Sequence, residues 1–330
     1  MISKAIDSLK KREDLEEGVV ESIFDLMLEG RLSEDETGEF LKLLAQKNET
    51  AEEIKSAASA LLKHADTLDV DMDLLDTCGT GGDKKSTFNI STASAIVCSL
   101  FVPVAKHGNK AVRSKSGSAD VLDALGIRVD RKKGDAYDFL LKKNFTFLFA
   151  PNYHPAMRYV APVRKKLGIR TVFNLIGPLC NPFKPKFQVI GVFSKDFLPT
   201  LFEAGKMLSM DNVIFLSSKD GLDEVSISDR TVCYSRKNGV ERVFEFDPKE
   251  LGIYADISSI KGYDAKKNAE LMIEVFDNKH ENLKNAVSIN AAFALFVSGV
   301  EDNLKDAFVL AKESIENGKA KEKLEDLRSE

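Results

Sequence analysis

Residues 76–92, DTCGTGGDKKSTFNIST, place three glycines within four positions (Gly79, Gly81, Gly82), a carboxylate at Asp83, and hydroxyls at Ser86, Thr87, Ser91 and Thr92. Glycines at this density let backbone amides approach an anion, and hydroxyls add further donors. A helix starting at such a turn also offers its first amides and the positive end of its dipole. A carboxylate repels an anion, so the ligand must carry something more than negative charge. The stretch is neither a dinucleotide fingerprint nor a Walker A loop, because both need glycine where Lys84 stands. Taken alone, it reads equally well as a tight turn followed by helix N-caps.

A second loop changes the balance. KHGNKAVRSKSGSAD, residues 106–120, gathers Lys106, Lys110, Arg113 and Lys115 among Gly108, Ser114, Gly117 and Ser118. On a helix such cations would be a solvated face; in a glycine- and serine-rich loop they suit a ligand with several phosphates. His107, beside Gly108, reads more readily as a residue that orients backbone than as a base. In GLDEVS, residues 221–226, Asp223 and Glu224 suit a hard cation such as Mg²⁺. Adjacent side chains diverge in a strand, so shared metal binding requires a loop, and the pair otherwise reads as surface charge. The fourth element is Arg164, with His154 and Arg158, in NYHPAMRYVAPVRKKLG, residues 152–168. A guanidinium fork matches a carboxylate; Arg158, Lys165 and Lys166 read as a solvated helix face. A polyphosphate accompanied by Mg²⁺ reconciles these features: amides and cations for its oxygens, and Asp83 for a sugar hydroxyl or a metal-bound water.

The elements that position these loops follow from periodicity. Residues 1–65 read as wholly helical: Val19, Val20, Ile23, Phe24 and Met27 recur at helical spacing. Ser33 with Glu36 and Thr50 with Glu53 form capping boxes, and Gly30 marks a helix stop. From Leu74 onward, strand and helix patterns alternate. LLDTC (74–78), FVPVAK (101–106), FTFLFA (145–150), FQVIGVF (187–193) and NVIFLSS (212–218) read as strands, and TVCYS and ERVFEF (231–246) as a later strand pair. STASAIVCSLF (91–101) and Ala119–Leu125 read as helices, the latter stopped by Gly126; 152–168 and the chain from Lys266 onward are also helical in pattern. The expected fold is α/β: a large domain (66–330) with a mostly parallel central sheet flanked by helices, plus a small all-helical N-terminal domain (1–65), joined by a helical segment near 152–175. In such sheets ligands gather beyond the carboxyl ends of the strands.

Composition narrows the class of partner. The 330 residues are 43% hydrophobic and 30% charged, as in ordinary globular proteins, and carry a net charge of −5. General attraction to nucleic acid or to an anionic membrane is therefore not expected. The N-terminal stretch has no apolar core and argues against a signal peptide, and the most apolar run, near 93–105, is too short to span a bilayer. Four widely spaced cysteines without a CxxC pair argue for a reducing cytoplasm.

GTGGD (79–83), NIST (89–92), KHGN (106–109), SKSGSAD (114–120), HPAMRYVAPVRKKLGIRTVFNLIGPLCNP (154–182) and GLDEVS (221–226) together resemble the anthranilate phosphoribosyltransferases of tryptophan biosynthesis. The resemblance implies a dimerising helical domain, a large α/β domain and an active site at the hinge between them. It implies transfer of the ribosyl phosphate of 5-phosphoribosyl-1-pyrophosphate (PRPP) to the amino group of anthranilate. Carried over by position, Gly79, Gly82, Asp83, Thr87, Asn89, Ile90, Ser91, Thr92, Lys106, His107, Gly108, Asn109, Lys110, Ala111, Val112, Arg113, Ser114 and Ser118 resemble the PRPP site. Gly79, Asn109 and Arg164 resemble anthranilate contacts, and Ser91, Asp223 and Glu224 the ligands of Mg²⁺, two ions bound with PRPP. No residue resembles a strong catalytic acid or base. Components of anthranilate synthase are further candidate partners. The sequence departs from the family pattern at Lys84-Lys85 and at Arg113, changes that bear on the shape of the pyrophosphate pocket. A nucleoside phosphorylase-like transferase using inorganic phosphate, and a catalytically silent nucleic-acid binder, are the competing readings; the 154–182 segment argues against the first and the acidic charge against the second.

Overall fold

The computed structural model describes residues 1–83, 85–111 and 115–329. Four helices, Ile2–Lys10, Glu17–Leu28, Glu34–Lys47 and Ala51–Lys63, open the chain. Both capping boxes form: the Glu36 amide donates to Ser33 Oγ at 3.3 Å and the Glu53 amide to Thr50 Oγ1 at 3.2 Å, with each glutamate reaching back to the cap amide. These helices do not close a core by themselves. Val20, Ile23, Phe24, Phe40 and Leu41 share one buried cluster with Val160, Val172, Phe173 and Leu175, and the Phe24 and Phe173 rings lie 5.6 Å apart. Residues 152–168 are not one helix. Pro155 and Pro162 each lack a backbone donor, and the segment breaks into Ala150–Tyr153, a 3₁₀ turn at Pro155–Tyr159, and Ala161–Leu167.

The sheet has seven strands: β1 (Leu75–Gly79), β2 (Val104–Gly108), β3 (Phe145–Phe149), β4 (Phe187–Gly191), β5 (Asn212–Ser218), β6 (Thr231–Lys237) and β7 (Val240–Phe246). They lie in the order β3-β2-β1-β4-β5-β6-β7. β1 to β5 are parallel, and β6 and β7 extend the sheet antiparallel. β2 begins at Val104 rather than at 101. The amides of Phe101 and Val102 bond back to Cys98 at 2.9 and 3.1 Å, closing the preceding helix, and Pro103 has no amide to give. The helix before β3, Lys133–Lys143, carries a weak apolar pattern that periodicity does not mark. Helices Ile90–Cys98 and Glu281–Val297 bury one face of the sheet within the larger core. Among the described residues, no helix is long and apolar enough to cross a membrane.

The strand order reverses between β1 and β4: β1 continues leftward to β2, and β4 rightward to β5. At such a point the connecting loops part and leave a crevice beyond the strand ends. Register sets Gly79 beside Gly191 there.

The packing of 172–176 onto the N-terminal helices makes Phe173→Ala a test of their interdependence. Loss of a buried phenylalanine leaves a cavity and should cost about 3–5 kcal/mol of unfolding free energy, measurable by urea denaturation.

Candidate active site

Asp223 and Glu224 lie in the turn after β5, and the turn brings both carboxylates to the crevice. It is held by Ser226 Oγ, which donates to Asp220 at 2.6 Å, and by Asn290, whose side chain exchanges two hydrogen bonds of 2.9 Å with the Val225 backbone. The two carboxylates then accept different amides: Asp223 Oδ2 that of Gly81 at 2.8 Å, and Glu224 Oε1 that of Ser91 at 2.9 Å. A Cβ at 79 would stand 2.7 Å from Asp223 Oδ2, so any larger residue there displaces that carboxylate. Gly81 and Gly82 both take positive φ, which turns the loop back toward the helix start. Asp83 accepts the Lys85 amide at 3.1 Å and faces Asp223.

Burial and like charge push these acids up. Asp83 is raised chiefly by burial. Asp223 is raised to about 7 by burial and then by Asp83, and Glu224 is raised well above the ordinary carboxylate range by burial and then by Asp223. A cavity of about 20 Å³, lined by Thr77, Ser91, Asp223, Glu224 and Asn290 among others, opens beside them. It exceeds the roughly 10–15 Å³ one water needs, so a small hard cation fits it. Ser91 Oγ and two carboxylates are a suitable oxygen donor set. Among the described residues no three His, Cys, Asp or Glu side chains form a closed metal cage.

β1 and β2 are tied beneath this cluster. Asp76, fully buried, accepts the His107 amide at 3.2 Å and the Asn181 side-chain amide at 2.9 Å. Lys106 Nζ donates to the Thr77 carbonyl and, at 3.4 Å, to Ser91 Oγ; burial lowers its pKa against the pull of Asp76. The basic loop leaves β2 at Gly108 and closes on itself: Asp120 accepts the amides of Ala111 at 2.8 Å and Gly117 at 2.9 Å, and Ser118 Oγ donates to the Asn109 carbonyl at 3.4 Å. Asn89 Nδ2 donates to the Ser116 carbonyl at 3.3 Å, joining the basic loop to the glycine loop. Asn109 and Lys110 are exposed. Ile90 is fully buried and has only its backbone to offer, and Thr92 Oγ1 is buried without a partner. Thr87 bridges to Lys261. Lys84, Val112, Arg113 and Ser114 lie outside the described residues.

Arg164, half-buried on Ala161–Leu167, sits over the Phe173 ring at 5.4 Å. Burial lowers its pKa. No hydrogen bond joins it to Gly79 or Asn109 among the described residues. The same segment reaches the glycine loop through Arg170, which donates to the Gly82 carbonyl at 3.0 Å while stacking on Phe193. Sequence reasoning passed over Arg170, Asp76, Asn181 and Asn290. Asp76 alone carried a signal: an acid in an otherwise apolar strand.

A glycine turn, a basic loop and a buried acidic pair meet at the switch point of a parallel sheet, an arrangement suited to a phosphorylated ligand that arrives with a cation. Comparison with known families agrees: residues 3–65 match the helical bundle domain of the glycosyl transferase family, and residues 71–321 its a/b domain. The chain belongs to the anthranilate phosphoribosyltransferase family. It is 41% identical to the anthranilate phosphoribosyltransferase of Caldicellulosiruptor saccharolyticus, over 99% of this chain and 98% of that one. The crystal structure of the Thermus thermophilus enzyme superposes with a TM-score of 0.92 at 34% identity, over 98% of both chains. The solved structure of the Saccharomyces cerevisiae enzyme, in complex with PRPP and Mg, superposes with a TM-score of 0.90 at 28% identity, over 99% of this chain and 98% of that one.

The two buried histidines near the loops yield a pH prediction. His107 and His154 rings lie 5.2 Å apart, and burial pushes them down to about 3 and about 4 from 6.5. At these two sites the unfolded chain therefore takes up protons first as pH falls below 6.5, and their contribution to the unfolding free energy should decline from there toward pH 4, opposite in sign to that of the raised acids Asp83, Asp223 and Glu224. His154→Gln should flatten that decline in denaturation curves taken across the range.

Proposed function

We propose that this chain transfers the 5-phosphoribosyl group of PRPP to the amino group of anthranilate, giving N-(5-phosphoribosyl)anthranilate and pyrophosphate. The observation that carries the reading is the acidic pair itself. Asp223 and Glu224 grip the amides of a phosphate-type loop, an arrangement compatible with a polyphosphate only when a cation accompanies it. Ser91, Asp223 and Glu224 hold Mg²⁺, two ions arriving with PRPP. Bound there, Mg²⁺ neutralises charge on the pyrophosphate leaving group. The chain's own groups supply the rest. The glycine-loop amides other than those of Thr80 and Gly81, which the Gly191 carbonyl and Asp223 hold, together with the hydroxyls of Thr87, Ser91, Thr92 and Ser118 and the 106–114 loop, cradle the phosphates. Arg164, with Asn109 and Gly79, orients anthranilate by its carboxylate. The aromatic amine is unprotonated near neutral pH, so positioning rather than a strong base brings it to the sugar carbon.

Residues 1–65, with the segment near 152–175, form the small domain, and 66–330 the large one, with the site at the hinge. Exposed Tyr159 and Ile169 on that segment support its role in pairing two chains. Four free cysteines fit the cytoplasm, and components of anthranilate synthase are candidate partners.

Loss of anthranilate fluorescence on incubation with PRPP and Mg²⁺ tests the activity; a folded protein that leaves the signal unchanged refutes it. Arg164→Ala should raise the KM for anthranilate about 10-fold or more, matching a charged hydrogen bond of roughly 1.5–3 kcal/mol, with the KM for PRPP nearly intact. Arg164→Lys should recover only part, since lysine lacks the fork. Asp223→Asn with Glu224→Gln should lower PRPP turnover or demand far more Mg²⁺. In the wild type, Mg²⁺ demand should rise as pH falls through about 7, where Asp223 gains its proton and no longer attracts a cation.

A further inference from the structure

We propose that Asn268 is a positioning residue that couples the glycine loop to the basic loop, so that both meet a polyphosphate as one surface. The inference rests on the PRPP reading for its kinetic consequence only. Asn89 stands at the N-cap position of the Ile90–Cys98 helix yet makes no capping bond. The amide it would ordinarily serve, that of Ser91, is held by Glu224. Its side chain is spent elsewhere: Nδ2 on the Ser116 carbonyl at 3.3 Å, and Oδ1 on Asn268 Nδ2 at 2.8 Å. Asn268, only 1% exposed near the start of helix Ala265–Phe276, in turn accepts the Tyr263 amide at 2.8 Å. The result is a directional relay, Tyr263 amide to Asn268 to Asn89 to Ser116 carbonyl, in which each asparagine uses oxygen on one side and nitrogen on the other.

The relay rests on a second attachment. The Phe88 amide donates to the Ile260 carbonyl at 2.9 Å, the Gly262 amide to the Ser86 carbonyl at 2.8 Å, and Thr87 pairs antiparallel with Lys261 between them. The approach is close enough that a Cβ on Gly262 would stand 2.1 Å from the Thr87 carbonyl oxygen. A segment more than 170 residues downstream (Asn89 to Asn268 is 179 positions) thus braces the loop that opens the site.

Asn268→Asp keeps the side chain's size and its acceptor for Tyr263 but turns the donor facing Asn89 into a second acceptor. Flipping the Asn89 amide cannot repair this, because its oxygen would then face the Ser116 carbonyl. We expect the KM for PRPP to rise about 10-fold, the size of one buried polar group left unpaired, with little change in the KM for anthranilate. Amide hydrogen exchange, measured without substrate, should accelerate together in the peptides bearing Asn89 and Ser116. Should the aspartate variant not fold, Asn268→Ala, which buries no charge, is read in the same two ways. Unchanged exchange in a folded variant overturns the proposal, as does acceleration confined to the Asn89 peptide, or a loss of activity toward both substrates that merely follows a fall in Tm. Because exchange needs no substrate, a wild type that fails to consume PRPP refutes the functional reading without touching this one.

Discussion

Asp223 accepts the Gly81 amide while Glu224 accepts that of Ser91, so one dipeptide fixes both the glycine turn and the start of the helix that follows it. The arrangement carries an electrostatic cost. Carboxylates facing one another at a half-buried strand end resist ionisation, and their raised pKa values express that resistance. A neutral ligand would leave the cost in place, and a bare anion would add to it. A polyanion brought in with a divalent cation relieves it, and the same cation meets oxygen atoms already aligned by backbone contacts. The scaffold beneath, Asp76 with Asn181 and Lys106 with Thr77, keeps β1 and β2 level so that the two loops start from a common edge.

Much of this was legible in the sequence, and for identifiable reasons. Capping boxes are local chemistry, and Ser33–Glu36 and Thr50–Glu53 form as their spacing requires. β4 and β5 carry apolar runs, Val189–Phe193 and Val213–Leu216, the mark of strands covered on both faces. Glycine at 79 and acids at 223 and 224 were visible as residue types, though nothing local said that the first must be small because the second lies against it. That knowledge resides in the sheet order, which brings residues 144 positions apart into contact.

What could not be read depends on partners distant in the chain. Asn181, Asn268 and Asn290 are single polar residues amid helical or irregular stretches, and each acquires meaning only from the distant group it meets: the Asp76 carboxylate, the Asn89 side chain and the Val225 backbone. The start of β2 was misjudged because Phe101 and Val102 look like strand residues. Their amides are claimed by the end of the preceding helix before a strand can form. Local preference and local hydrogen bonding competed there, and hydrogen bonding prevailed.

The shared core of the N-terminal helices has a consequence for synthesis. Ala51–Lys63 leaves the ribosome well before its partners, since Pro155 follows Lys63 by 92 positions. At 5–20 residues per second, the first four helices wait about 5–20 s for the first downstream segment of their core. During that interval Phe24, Phe40 and Leu41 have only the apolar residues of the first four helices for cover, a stretch small for a core of its own. The order of the genetic message thus gives the cell's chaperones a defined moment of exposed apolar surface. Cover begins when Val172 and Phe173 emerge and is completed by Leu198, Leu201, Phe202 and Phe215 of the same core, before the last helices of the large core are made.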